Sequence, residues 1–269
     1  MSLSHHDIEV TERSSVANAL NRLNPNLVIN TAAYHKVDVV EENPNQAFAV
    51  NTTGVRNLAL QCQELDAVLI HISTDYVFSG TSHKPYVESD PVAPVNVYGA
   101  SKAAGEMLLR YLWPKHFIVR TSGLYGVAGS SGKRRNFVEL MLELASLGKP
   151  IRVVSDQVLT PTGTRPLVQQ LAALSRTATY GTYHATCNGE CSWYGFALEI
   201  FRQCNLKPNV SPQTTVESLS SARRPAYSVL DNNGLRAHGI DVMPDWKESL
   251  AQYLDLRTRT HVTKEAPLL

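Results

Sequence analysis

Hydrophobic positions along the chain fall into short unbroken runs, separated by longer stretches with helical spacing. Leu27-Val28-Ile29-Asn30 follows Pro25 and precedes small residues, which predicts a buried strand. Val68–Ser73 (VLIHIS) and Phe117–Thr121 (FIVRT) predict two more. Unbroken Val/Ile runs, rather than alternation with polar residues, suit strands covered on both faces. Between them, 45–65 carries Ala47, Phe48, Val55, Leu58, Ala59 and Cys62 at helical spacing, and 101–112 carries Ala104, Met107, Leu108 and Leu112. This alternation predicts an α/β fold, a doubly wound parallel sheet with helices on both faces.

Beyond residue 125 the pattern loosens. A Gly/Ser/basic loop over 128–135 leads into a helix near 137–147, a short strand at 151–154, a helix at 167–175 and a strand at 182–186. Ser192 is an N-cap residue for an amphipathic helix reaching Cys204. A last helix is expected near 246–254. From Arg257 onward there is no apolar periodicity, and a mobile tail is expected. The expected division is a sheet domain of 1–125 with about 150–187, a smaller lobe of about 126–149 with 188–256, and a tail of 257–269.

The 269 residues are 43% hydrophobic, enough for a sizeable core, and no apolar stretch approaches the length of a membrane span. Lys+Arg number 25 against 24 Asp+Glu, and the densest basic run is only Lys133-Arg134-Arg135. That balance points away from nucleic-acid and membrane-surface partners. The first residues have neither the basic nor the apolar region of a signal peptide, and the four cysteines read as reduced thiols, so a cytoplasmic protein is expected. Cys187 and Cys191 with His184 lack the second ligand pair of a structural zinc site; no metal site is read from the residues.

The chemistry concentrates at Tyr98-Gly-Ala-Ser-Lys102, a Y-x-x-x-K at the start of a helix. Four residues apart on a helix means one face, so phenol and ammonium can share a cleft. A nearby ammonium favours phenolate, which would equip the tyrosine as a general acid–base for a carbonyl/alcohol pair. The spacing alone is common by chance. Ser73-Thr74-Asp75-Tyr76 strengthens it, because these residues follow a strand at its C-terminal end, where open α/β sheets bind ligands. A hydroxyl there can bond the same oxygen that the tyrosine protonates. The blander reading of the same residues is a surface helix pair and a strand-end turn.

Further strings extend this picture: Asn30–Tyr34 (NTAAY), Val37-Asp38, Phe48–Asn51 (FAVN), His71–Phe78 (HISTDYVF), Asn96–Gly99 (NVYG) and Arg120–Ser122 (RTS). Later come Asn136–Val138, Asp156-Gln157, Pro161-Thr162, Cys191–Tyr194, Arg224-Pro225, Leu230-Asp231 and Pro244–Trp246. Together they resemble the dTDP-4-dehydrorhamnose reductase family of extended short-chain dehydrogenases, over about residues 7–256. The resemblance implies a Rossmann-type NAD(P)-binding domain with a nucleotide-sugar lobe. It implies NADPH- or NADH-dependent reduction of the 4-keto group of a dTDP-6-deoxyhexose. Tyr98 would be the proton donor, Lys102 the residue that lowers its pKa and holds the nicotinamide ribose, and Thr74 the hydroxyl that polarises the keto oxygen. Asp75, Val37 and Gly123 fall at substrate positions. Ala32, Ala33, Tyr34, His35 and Ile72 fall along the cofactor, with Glu9 and Val10 beside the adenine. Some members are magnesium-bridged dimers, so the resemblance admits Mg2+ and a homodimer.

Two departures stand out. The family's first strand, glycine-rich turn and second strand would precede residue 7, so a sheet incomplete at its N-terminal side is expected. The spacing G-x-x-G-x-x-G occurs at Gly123, Gly126 and Gly129, but it runs into loop instead of opening the helix a pyrophosphate needs. The family also usually has tryptophan after Arg-Thr-Ser, where this chain has Gly123, which leaves the sugar less certain than the reaction class. Two alternatives therefore stay open: a non-catalytic nucleotide-binding regulatory subunit of the same fold, as in the methionine adenosyltransferase relatives, and a reductase of another nucleotide-activated keto-sugar. Trp193 and Tyr194 read as core or as stacking groups. Arg223-Arg224 reads as a pyrophosphate fork or as part of the substrate lobe.

Overall fold

The computed structural model describes residues 1–128, 135–218 and 220–265, with side chains to residue 259. Four parallel strands form its central sheet: β1 (Leu27–Asn30), β2 (Val68–Thr74), β3 (His116–Thr121) and the strand Gly181–His184, in that order. The register sets Leu27 beside Val68, Leu69 beside His116 and Phe117 beside Gly181. Successive side chains point to opposite faces. Leu69 and Ile118 meet the helices Arg13–Leu23, Gly54–Glu64 and Val97–Leu112 through Val16, Leu20, Val55, Leu58 and Leu109. Ile70, Phe117 and Val119 meet the helix Thr164–Leu174 through Leu167, Leu171 and Leu174. The doubly wound sheet expected from the unbroken apolar runs is present.

β1 departs from the buried strand expected of it. It is a sheet edge, and Leu27 and Ile29 are 36% and 48% exposed, while only Val28 packs on the helical core. The face that carries Ile70 on β2 has no helix over it at β1. Residues 1–12 add no strand beside it.

The smaller lobe has its own core, built from Val138 and Met141, Phe196 and Ile200, and Trp246, Leu250 and Tyr253 on the helices Phe137–Ser146, Trp193–Gln203 and Trp246–Glu265. Ile151–Val154, expected with the sheet domain, instead pairs with Val210–Gln213, and Ile151 and Val153 are buried in this second core. The last helix continues through 257–265, where a mobile tail is expected from sequence. Arg257 Nε donates to Glu139 at 2.7 Å, and Arg259 pairs with Asp255 one turn back. Polar anchoring therefore carries a segment without an apolar face. Lys133, Arg134 and Gly129 lie outside the described residues.

Inside the expected 45–65 helix, Ala49–Thr53 widens into a π-helical turn. Asn51 there is fully buried. Its amide accepts from the Tyr34 backbone N–H at 2.9 Å and donates to the Tyr34 carbonyl at 3.0 Å and to Ser101 Oγ at 2.9 Å. This one side chain ties the loop after β1 to the helix carrying Tyr98 and Lys102.

Candidate active site

The C-terminal ends of β1, β2 and β3 open onto a cleft of about 410 Å³. Tyr98 and Lys102 enter it from the Val97–Leu112 helix, whose N-cap Asn96 accepts from Gly99 N–H at 2.8 Å. Gly99 is required there, since a Cβ would stand 2.1 Å from the Tyr76 carbonyl oxygen. That close approach presses the helix start onto the turn after β2. Tyr76 and Tyr98 pack edge to face at 5.9 Å.

Beside the phenol, Thr74 Oγ1 donates to Asp75 Oδ1 at 2.9 Å, and Ser122 Oγ donates to Asp75 Oδ2 at 2.9 Å. Ser228 lines the same cleft. Burial raises the Asp75 carboxyl above its ordinary range despite these donors. Burial, and then the Asp75 charge, raise the Tyr98 phenol as well. The lowered tyrosine expected from Lys102 is thus not what this geometry gives. Tyr98 keeps its proton at neutral pH, the state a proton donor needs.

Lys102 is 1% exposed. Its Nζ donates to the Ile72 carbonyl at 2.6 Å and lies 3.2 Å from His71 Nε2. Burial brings Lys102 down to about 8, although Glu106 one turn along the helix pulls the other way. Glu106 is itself held low, against its burial, by Arg120, Ser73 and Arg110. Its carboxylate receives Arg120 at 2.8 and 3.0 Å, Ser73 Oγ at 2.6 Å and Arg110 at 2.7 Å.

The family described as the RmlD substrate binding domain matches residues 1–259 of the chain. The spore coat polysaccharide biosynthesis protein SpsK of Bacillus subtilis (strain 168) is 38% identical over 258 residues, covering 96% of this chain and 89% of that protein. A dTDP-4-dehydrorhamnose reductase of Streptomyces griseus is 39% identical over 257 residues, covering 93% and 83%. The crystal structure of dTDP-4-dehydrorhamnose reductase from Bacillus anthracis str. Ames in complex with NADP superposes with a TM-score of 0.91 at 40% identity, covering 94% and 89%. The chain belongs to the RmlD substrate-binding-domain family.

Within this RmlD-family chain, the residues singled out from sequence divide in two. Tyr98, Lys102, Thr74, Asp75 and Ile72 line one cleft, and Ala33, His35, Val37 and Gly123 line its rim. Ala32 and Tyr34 do not line it; they serve through their backbones, Ala32 N–H donating to Asn30 Oδ1 and Tyr34 bonding Asn51. Glu9 and Val10 also lie off the cleft. Val10 is buried against Gly54, and the Glu9 carboxylate receives the backbone and side chain of Thr11. Val10 thus packs in the core, whereas the Glu9 side chain remains part-exposed.

Gly123 has φ +55°, and a Cβ there would stand 2.8 Å from Leu159 Cδ1. A side chain at this position would be strained by the left-handed backbone and would have to displace Leu159. Trp193, from the small lobe, reaches the same cleft while packing on Phe137 at 4.6 Å, so it is both core and wall. Gly123 leads directly into the strand Leu124–Tyr125, paired with Thr162–Gly163, and among the described residues no helix follows it before 129. Arg224 does not stand free as a phosphate fork; it pairs with Asp38 at 2.7 Å. Asn51 and Ser122 stand out in sequence only inside the strings FAVN and RTS, with no role of their own, and Ser228 lies in none of the strings. Among the described residues, no three His, Cys, Asp or Glu side chains converge as a metal site, and no helix is long and apolar enough to cross a membrane.

Proposed function

We propose that this chain is an NAD(P)H-dependent reductase of the 4-keto group of dTDP-4-dehydro-L-rhamnose, forming dTDP-L-rhamnose. The observation that carries this reading is the convergence of Tyr98, Thr74 and Lys102 at the strand ends of one cleft, in a chain 39% identical to a reductase of that name. A reduced nicotinamide cofactor, when bound, supplies the hydride. The nicotinamide-ribose end of such a cofactor suits Lys102, the Ile72 backbone and the Ala33–His35 rim. Gly123 and Gly126 flank the strand Leu124–Tyr125, so they present its pyrophosphate with no helix N-terminus.

The protein's own part is protonation. Tyr98 holds its proton at neutral pH and hands it to the carbonyl oxygen as charge develops there. Thr74, bonded to Asp75, lines the same cleft as Tyr98, where its hydroxyl can meet the same oxygen. Lys102 supplies positive charge beside the same oxygen when protonated. Asp75, held by Thr74 and Ser122, orients a substrate hydroxyl.

Gly123 favours one second reading, a reductase of a different dTDP-keto-sugar, because the aromatic wall here comes from Trp193. The test is oxidation of NADPH and of NADH by purified protein with dTDP-4-dehydro-L-rhamnose and with the corresponding 4-keto-6-deoxyglucose nucleotide. Oxidation with the first sugar is expected. Oxidation with the second alone selects the second reading. Tight nucleotide-sugar binding without oxidation of either cofactor overturns both in favour of a regulatory subunit.

A further inference from the structure

His71 lies fully buried on β2, directly beneath Lys102, and the reaction as derived above gives it no part. Its surroundings determine where its proton sits. Asn30 Oδ1 accepts the backbone N–H of Ala32 at 3.0 Å, which fixes which end of that amide is oxygen. Asn30 Nδ2, the donor end, is therefore the group 3.0 Å from His71 Nδ1. Nδ1 must accept. A neutral imidazole then carries its hydrogen on Nε2, which faces Lys102 Nζ at 3.2 Å. The ring is neutral, because burial and the Lys102 charge push it well below the ordinary histidine range.

An ammonium group has donors only, so a charged Lys102 would meet the His71 Nε2–H donor to donor. A neutral amine has a lone pair to receive that hydrogen and can still donate to the Ile72 carbonyl. We propose that His71, locked in its Nε2–H form by Asn30 and Ala32, is a positioning residue for Lys102: it favours the amine at this spot and releases the side chain toward the cleft when Lys102 takes up a proton. Of the charged groups around Lys102, Glu106 opposes the effect, but Arg120 and Arg110 already hold its carboxylate. Tyr98 on the same helix is protonated. Asp75, at the end of β2, is bonded to Thr74 and Ser122, and His35 stands at the cleft rim. This inference extends the reductase reading to the charge on Lys102, but its test does not depend on turnover.

The experiment follows Lys102 by NMR of the full chain carrying 13Cε-labelled lysine, titrated through neutral and alkaline pH, with Lys102→Met to assign the signal. In the wild-type chain Lys102 should titrate well below the other lysines, and 15N-labelled histidine should show His71 as the Nε2–H tautomer. Asn30→Asp offers a carboxylate that accepts from both Ala32 and Nδ1–H, so Nε2 becomes an acceptor. His71→Gln can turn its oxygen toward Nζ. Both should move the Lys102 titration up by about one pH unit or more, a tenfold gain in proton affinity. In active preparations the matching limb of the kcat/KM pH profile should follow. An unmoved Lys102 titration in both folded variants, or an Nδ1–H tautomer in the wild type, overturns the proposal. Absence of turnover in a wild-type chain whose Lys102 titration and His71 tautomer are as expected would count against the reductase reading instead.

Discussion

Glu106 and Arg120 meet as a two-point fork, with side-chain exposures of 0% and 2%, beneath the helix that carries Tyr98 and Lys102. The pair fastens that helix to β3, and Ser73 fastens it to β2. Removing one partner of a buried ion pair leaves a charge with no solvent, at about 3–5 kcal/mol. Glu106→Gln should therefore lower the urea midpoint of unfolding strongly. A loss below about 1 kcal/mol would mean that Arg120 finds another acceptor.

Acid should destabilise the fold well before all carboxylates titrate. Burial, with the Arg120 charge, lowers His184 from 6.5 to about 3, and His71 is lowered too. Between those values the unfolded chain binds a proton that the folded chain refuses, so stability falls as pH drops from about 6.5 toward 3. Glu106 adds to this in the same direction: its depressed folded pKa gives stability above 4.5 that is lost on further acidification. Urea melts at steps from pH 7 down to pH 4 should show a steep decline, flatter in His184→Gln. An equally steep decline in that variant would assign the effect elsewhere.

Tyr98→Phe removes one hydroxyl and keeps the ring against Tyr76. General acid catalysis contributes about 10²–10⁴-fold, so turnover with the keto-sugar should fall by that factor while nucleotide-sugar binding persists. A rate within a few-fold of wild type would remove Tyr98 from the proton-donor role.

Gly123→Trp looks from sequence like restoration of a sugar-stacking wall. The structure reverses that expectation. Left-handed backbone and a Cβ position 2.8 Å from Leu159 make even Gly123→Ala destabilising, by about 1–3 kcal/mol. Trp193→Ala is the informative change at this wall, and should weaken keto-sugar binding about tenfold in calorimetry, from lost stacking and burial. Unchanged affinity in Trp193→Ala would leave Trp193 as core alone.

Local chemistry determined much of this protein. Unbroken Val/Ile runs gave the strands of the parallel sheet, and the Y-x-x-x-K spacing put Tyr98 and Lys102 on one helical face whatever lay around them. The motif strings carried the family, because residues such as Asn51, Gly99 and Arg120 are needed at fixed places to hold that helix. Tertiary structure decided what depends on neighbours distant in sequence. Leu27 and Ile29 are as apolar as any strand residue, yet they are exposed, because β1 is the last strand of the sheet and, among the described residues, nothing packs over their side of it. Arg224 was a free cation on paper and is half of an ion pair once Asp38, in the segment after β1, comes beside it. The Tyr98 phenol rises because burial and Asp75 act on it, while Lys102 turns to His71 and Ile72. Spacing along a chain says which groups share a face; desolvation and hydrogen-bond partners, which set their protons, exist only after folding.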